Sequence, residues 1–193
     1  MEFKFLAKSI TEIILDPVKA WDTINSESRP VSYINFNLFL PLIIIVSISA
    51  FLGSLLFINT GLLKTFSILA GIKYLLLYLV VINGTSFMVT KAAGALNVAM
   101  NFNLSFKLVM YSSVPFLLCQ AVSRLFESFI FINILAFYGL YIMWTGTGKM
   151  LNLQENKKLH LLLATTIIFL LSFFITDWFL NRVFDKLFYV IIA

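Results

Sequence analysis

The sequence predicts an all-α protein, a polytopic integral membrane bundle of five transmembrane helices preceded by amphipathic helices. Three observations carry that prediction. Of 193 residues, 61% are hydrophobic and 12% charged, with a mean hydropathy of +0.97, whereas soluble domains hold roughly 45–50% apolar and 25% charged residues. The apolar residues gather into runs that each suit the ~20 residues a spanning helix needs. Ahead of the first run, apolar residues recur at helical spacing between charges. The expected division is an amphipathic cytoplasmic segment over 1–33, a five-helix membrane domain over 34–180 and an interfacial tail over 181–193.

In the opening segment Phe3, Leu6, Ile10, Ile13 and Ile14 share one helical face, with Lys4, Lys8 and Glu12 between them. Glu2 and Glu12 and the lack of a continuous apolar core argue against a cleaved signal peptide. Asp16 followed by Pro17 reads as an N-cap and a first helical position, restarting a helix whose Val18, Trp21 and Ile24 share a face. Two placements fit such a pair: flat on the bilayer with Trp21 at headgroup level, or packed on the end of the bundle.

The first span is expected over 34–58, with Pro41 in its first turns and the small pairs Ser49/Gly53 and Ala50/Ser54 admitting a close neighbour helix. After the turn at Asn59-Thr60-Gly61, a second span over 62–90 contains Lys73, and Asn83-Gly84-Thr85-Ser86 is polar enough to loosen it locally. Asn83 also begins a glycosylation sequon, out of place inside a span. A surface loop, partly helical, is expected over 91–105. The third span, 106–123, holds Tyr111-Ser112-Ser113-Val114-Pro115. Pro115 lacks an N–H and displaces the carbonyl of Tyr111, so a kink is expected there, with the serine hydroxyls and a neighbouring helix as donors for the freed carbonyl. Arg124 to Glu127 form a tight connection to a fourth span over 128–145, and the fifth is expected over 159–180.

Counting Lys and Arg on alternate sides puts nine with the N-terminus and four opposite, leaving Lys73 inside a span. That excess favours a cytoplasmic N-terminus and an outer C-terminus. Lys73 then lies deeper than its stem can reach to water, and an intramembrane charge calls for a partner. Glu127 and Asp177 lie toward the same side. Glu127 already has Arg124 as a neighbour, so the expected partner is Asp177.

One histidine (His160) and one cysteine (Cys119, within the third span) give neither a zinc-ligand set nor an internal disulfide. Gly146-Thr147-Gly148-Lys149 lacks the Walker spacing, since Met143 and Met150 stand where Gly and Ser or Thr are needed. No catalytic residues, metal or cofactor are expected, and no nucleic acid. The remaining partners are the lipid bilayer and either another membrane protein or a second copy of the chain.

The segment Ile14-Leu15-Asp16-Pro17-Val18-Lys19-Ala20-Trp21 ahead of five spans, with Tyr111 and Pro115 in the third, resembles the Yip family of membrane proteins, named for interaction with Ypt/Rab GTPases. The Asp-Pro followed by an aromatic is similar to prokaryotic members. Ser28-Arg29-Pro30-Val31-Ser32-Tyr33 stands where eukaryotic members carry Asp-Leu-Tyr-Gly-Pro. The resemblance implies a non-enzymatic protein of a bacterial inner membrane, acting through protein contacts or by organising the bilayer. A different class, a small transporter or lipid-moving protein, is suggested by Lys73, Asn83 to Ser86 and Pro115, because intramembrane charge and broken helices mark substrate paths.

Overall fold

The computed structural model describes residues 2–57 and 63–192, with the side chains at positions 57, 63, 64, 127 and 189–192 excepted. The expected turn at Asn59-Thr60-Gly61 lies outside the described residues. The described fold is all-α and membrane-type. Four helices are long and apolar enough to cross a bilayer, Val31–Leu56, Thr65–Ala95, Ser128–Leu151 and Glu155–Phe188, and the bent pair Phe102–Ser112 with Val114–Leu125 makes a fifth when taken as one span.

Helix α1 (Phe3–Leu15) and helix α2 (Pro17–Glu27) meet at Asp16, whose carboxylate accepts the Lys19 N–H at 3.1 Å. The pair packs on the bundle, α1 against the first span and the second half of the bent pair, α2 against the fourth span. Ile13 and Trp21 are 0% exposed, so of the two placements open to the sequence the structure takes packing against the protein over lying flat in the headgroups.

The first span is one rod made of α3 (Val31–Ile34), a π turn over Asn35–Phe39 and α4 (Leu40–Phe57). Pro41 explains the π turn. It offers no N–H to the Asn37 carbonyl, and the ladder adjusts so that Leu40 donates five residues back to Asn35. The small pairs of α4 serve packing within the chain: a Cβ on Gly53 would overlap the Arg124 carbonyl.

Helix α5 (Leu63–Ala95) runs unbroken through the stretch expected to loosen. Asn83 donates to the Leu79 carbonyl at 2.9 Å and Ser86 to that of Ile82 at 2.7 Å. These polar groups are satisfied one turn back within the helix, so they need no break. The helix absorbs the first third of the expected loop and ends before Asn97 in left-handed geometry (φ 52°). Helix α6 (Phe102–Ser112) starts where Asn101 caps the Leu104 N–H at 2.9 Å, four residues before the expected span.

Helices α6 and α7 (Val114–Leu125) meet at a 44° bend, where the sequence expects a kink. The expected donors behave otherwise. Ser113 Oγ donates to the Val109 carbonyl at 2.7 Å, and Ser112 Oγ is buried with no hydrogen-bond partner. The fourth span opens as a 3₁₀ helix over Glu127–Phe137, broken at Phe129, and continues as α8 (Tyr138–Leu151) six residues past its expected end. Helix α9 (Glu155–Ile192) passes through position 180 without a break, so the expected tail continues the helix of the fifth span.

The core forms where α4, α5 and the bent pair pack together, around Phe39, Leu42, Tyr78, Ile82 and Phe106. Phe39 meets Phe106 edge-on at 6.0 Å. Helix α9 rests on α5 and α8 by one side only, leaving Phe174, Ile175, Trp178 and Phe179 exposed toward the bilayer.

Candidate functional site

Two constellations hold the residues the sequence singled out. The first is a clasp around Trp21. Its indole N–H donates to the Ile142 carbonyl at 2.8 Å, its ring lies edge-on to Tyr111 at 5.7 Å, and a Cβ on Gly146 would come within 2.5 Å of it. Gly146 is therefore the flat seat on which the indole rests. Lys149 and Asp22 form an ion pair at 2.9 Å beside it, and the Tyr138 hydroxyl donates to the Ile14 carbonyl at 3.0 Å. Thus Asp16 and Pro17 start the helix that delivers Trp21 onto Tyr111, which joins the two short motifs of the resemblance in space. The Asp16 carboxyl is held below its ordinary value, first by the Lys19 backbone N–H and then by the Lys19 side chain.

Pro115, four residues beyond Tyr111, begins the rod below the bend. A Cβ on Gly139 would overlap the Ser112 carbonyl, so α8 packs directly against the bend and holds it. Asn83 takes no part in either constellation, and Asn181, Gln120 and Asn133 take parts that the sequence reading did not assign.

The second constellation is polar and lies between spans. Lys73 Nζ is 2.8 Å from Asp177 Oδ1 and 2.5 Å from Asn181 Oδ1, with side chains 13% and 31% exposed for Lys73 and Asp177. Asn181 Nδ2 in turn donates to Asp177 Oδ2 at 3.1 Å. The expected pair therefore meets, as part of a triad. Tyr74 sits between two cations, its ring centre 4.9 Å from Lys73 Nζ and 4.4 Å from Arg124 Cζ. Arg124 donates to Gln120 Oε1 at 3.3 Å, Tyr78 donates to the same oxygen at 2.9 Å, and Gln120 Nε2 donates to Asn133 Oδ1 at 3.0 Å. The chain of contacts ties α5, α7, α9 and the 3₁₀ segment together, and it satisfies groups that hydrocarbon would otherwise leave unpaired. The Glu127 side chain, the rejected alternative partner, is outside the described residues.

The sequence carried signals for the missed members. Asn181 stands one turn after Asp177, the i,i+4 spacing at which side chains meet. Gln120 and Asn133 are amides inside apolar runs, as demanding of a partner as a charge is, although weaker. Gly139 and Gly146 mark one side of α8, but only the fold shows what approaches them.

Among the described residues no group of three or more His, Cys, Asp or Glu is placed to hold a metal ion. What the fold and these constellations define is a polytopic integral membrane protein of α-helices, with an N-terminal helix pair clasped onto its spans. The family model of the Yip1 domain matches residues 11–176, and the chain belongs to that family. No curated protein and no solved structure matches it.

Proposed function

We propose that this chain is a non-enzymatic member of its family in a bacterial inner membrane, with the clasp on the cytoplasmic side, acting through contacts with another membrane protein or a second copy, or by organising the bilayer. The observation that carries the reading is the surface the clasp presents. With Ile13 and Trp21 buried, the outer sides of α1 and α2 show Phe3, Leu15 and Val18 to the surroundings beside Lys4, Lys8 and Lys19. Apolar groups flanked by lysines suit a partner helix or an anionic membrane surface. Photocrosslinking from positions 3, 15 and 18 in native membranes tests it. A discrete protein adduct or lipid adducts at all three positions supports the reading, and absence of both overturns it.

A second reading, a small transporter or lipid-moving protein, is favoured by the Lys73–Asp177 pair beside a bent span. Its test is flux in reconstituted vesicles. Passage of a solute or lipid probe that Lys73→Met abolishes would displace the first reading.

A further inference from the structure

The clasp does not stay at the mouth of the bundle. It begins beside the start of the first span, where the Glu2 N–H donates to Asn37 Oδ1 and the Tyr33 hydroxyl to the Glu2 carboxylate, both at 2.9 Å. Its turn lies deeper. Ile14 lines one groove with Pro115, Leu118 and Tyr138, and Tyr138 immediately precedes Gly139, which packs on the Ser112 carbonyl at the bend. Leu15, Asp16 and Pro17 therefore stand level with the bend. Helix α2 then returns along α8, from Tyr138, past the Ile142 carbonyl that accepts from Trp21, to Lys149, which pairs with Asp22. The bend divides its span into helices of 11 and 12 residues. At 1.5 Å per residue it lies about 16 Å from the start of α6, about half the roughly 30 Å of hydrocarbon.

Over that depth the other outward faces are apolar: Leu163, Ile167 and Leu171 of α9, and Val80, Phe87 and Met88 of α5, are exposed. The clasp shows Lys4, Lys8, Thr11, Lys19 and Asp22 instead. The deepest charges, Asp16 and Lys19, pair at 3.1 Å with side chains 43% and 85% exposed. Lys19 has no way up to the mouth, because side chains on a helix tilt toward its N-terminus. On α2 that is the deep end, and Asp16 holds the ammonium there. An exposed ion pair at mid-depth is costly against acyl chains, so what faces it is polar.

The charges of the face select the polar partner. Each of Glu12, Asp16 and Asp22 already has a lysine, respectively Lys8, Lys19 and Lys149. A lysine ammonium carries three donors, so each keeps some to give, and Lys4 has no ion-pair partner among the described residues. The face is left with donors in excess, the complement of a phosphate.

We propose that phospholipid headgroups and their water descend along the outer face of the clasp toward the level of the bend, so that the leaflet on that side is indented beside the protein, with phosphates on Lys4, Lys8 and Lys19. The inference rests on the reading in which the clasp acts by what its surface meets, and it names that partner as the headgroups of the bilayer.

Bimane on single cysteines measures the indentation, in nanodiscs of phosphatidylethanolamine and phosphatidylglycerol. Cys119 is buried, so the unaltered chain serves as the blank for Thr11→Cys on the clasp and Leu163→Cys on α9. The two positions are matched in depth. Thr11 is one turn above Leu15, about 10 Å below the start of α6, and Leu163 is about 9 Å beyond Lys157, which meets the Asn97 carbonyl beside that start. The quenchers are iodide in water, a phospholipid with a nitroxide on its headgroup, and one with a nitroxide midway along an acyl chain. Iodide and the headgroup nitroxide are expected to quench Thr11→Cys, iodide about tenfold more strongly than at Leu163→Cys because an ion is excluded from hydrocarbon. The chain nitroxide is expected to quench Leu163→Cys. With Lys4→Gln, Lys8→Gln and Lys19→Gln combined, headgroup quenching at position 11 should fall, and an unchanged value would overturn the part given to the lysines. Quenching of Thr11→Cys by the chain nitroxide with iodide excluded would overturn the indentation, and iodide quenching without the headgroup nitroxide would overturn the headgroups as its occupant. Shielding from all three would put a second chain or another protein on the face, which overturns the inference and leaves the functional reading on its protein contact. Absence of any photoadduct at positions 3, 15 and 18 is a different outcome, and overturns the functional reading as well.

Discussion

Breaking the Lys73–Asp177 pair tests the polar constellation most directly. At 2.8 Å two unit charges attract by about 6 kcal/mol at an effective dielectric of about 20, and desolvation offsets much of that. With side chains 13% and 31% exposed, the pair falls between surface pairs, worth about 0–1 kcal/mol, and buried ones, whose rupture costs about 3–5 kcal/mol. Asn181 softens each single loss, because Lys73 keeps its Oδ1 and Asp177 its Nδ2. The expectation is about 2 kcal/mol for Lys73→Met, about 2 kcal/mol for Asp177→Asn and about 2 kcal/mol for both together, a coupling of about 2 kcal/mol. Reversible unfolding in mixed micelles measures all three. In an Asn181→Ala background each single change should cost more, since the remaining member of the pair then has no second partner on α9. Single losses that add to within about 0.5 kcal/mol would mean that the two residues do not stabilise one another, and the reasoning fails.

The clasp and the bend give further expectations. With Trp144 and Trp178 replaced by Phe, emission from Trp21 should be blue-shifted and insensitive both to aqueous quenchers and to brominated lipids; quenching by the lipids would put the indole in the bilayer. Trp21→Phe should cost about 1 kcal/mol, at the low end for a lost buried hydrogen bond because the Ile142 carbonyl keeps the Thr145 hydroxyl. Pro115→Ala should leave the α6–α7 bend in place, read as an unchanged distance between spin labels on the two helices, because α8 packs against the bend at Gly139; Gly139→Val should instead destabilise by about 1–3 kcal/mol through overpacking. The Asp16 carboxyl is held below its ordinary value when folded, so its contribution is present above the unfolded pKa and is lost as pH falls through the lower, folded one. Amide exchange at Lys19 should therefore accelerate at acid pH in the native chain, whereas Asp16→Asn keeps the cap and removes the pH dependence.

Features that depend on local backbone chemistry were legible in the sequence. Asp16-Pro17 starts a helix, Pro115 sits just past a bend, and Lys73 finds Asp177, because each follows from a missing N–H, an available carboxylate or the cost of a charge in hydrocarbon. Boundaries were less legible. Periodicity ended α5 near Thr90 and the fourth span near Thr145, yet the helices run on to Ala95 and Leu151, since polar residues continue a helix once it stands in water. The Asn83 to Ser86 stretch misled for a related reason: the Asn83 amide and the Ser86 hydroxyl, which look like breaks, are satisfied by carbonyls of the preceding turn. Nothing local marks Gln120 and Asn133 as partners of one another across the bundle. Their meaning depends on which helices pack together, as does the 3₁₀ opening of the fourth span, for which we have no physical account from the sequence.

Helix lengths and contacts together decide how the bent pair runs. At 1.5 Å per residue, the 33 residues of α5 reach about 50 Å and the 38 of α9 about 57 Å, beyond the roughly 30 Å of hydrocarbon, so both helices extend past the core and their ends report on its two sides. On one side Lys157 donates to the Asn97 carbonyl and Lys158 covers the Trp144 ring, which gathers the start of α9, the end of α8 and the end of α5. Helix α6 begins there, five residues after Asn97. On the other side Arg124, at the end of α7, covers Tyr74 near the start of α5 and presses its carbonyl on Gly53 near the end of α4. A re-entrant loop would have returned Arg124 to the side it left, beside Lys91 and Lys157. The bent pair therefore crosses, which makes five passages, with the clasp joined to the first side through the Lys149–Asp22 pair and the end of α9 on the opposite side. The nine Lys and Arg assigned by alternation to the N-terminal side include Lys149, Lys157 and Lys158, which gather on the side of the clasp, and the four assigned opposite include Arg124, which stands at the other end of the bundle.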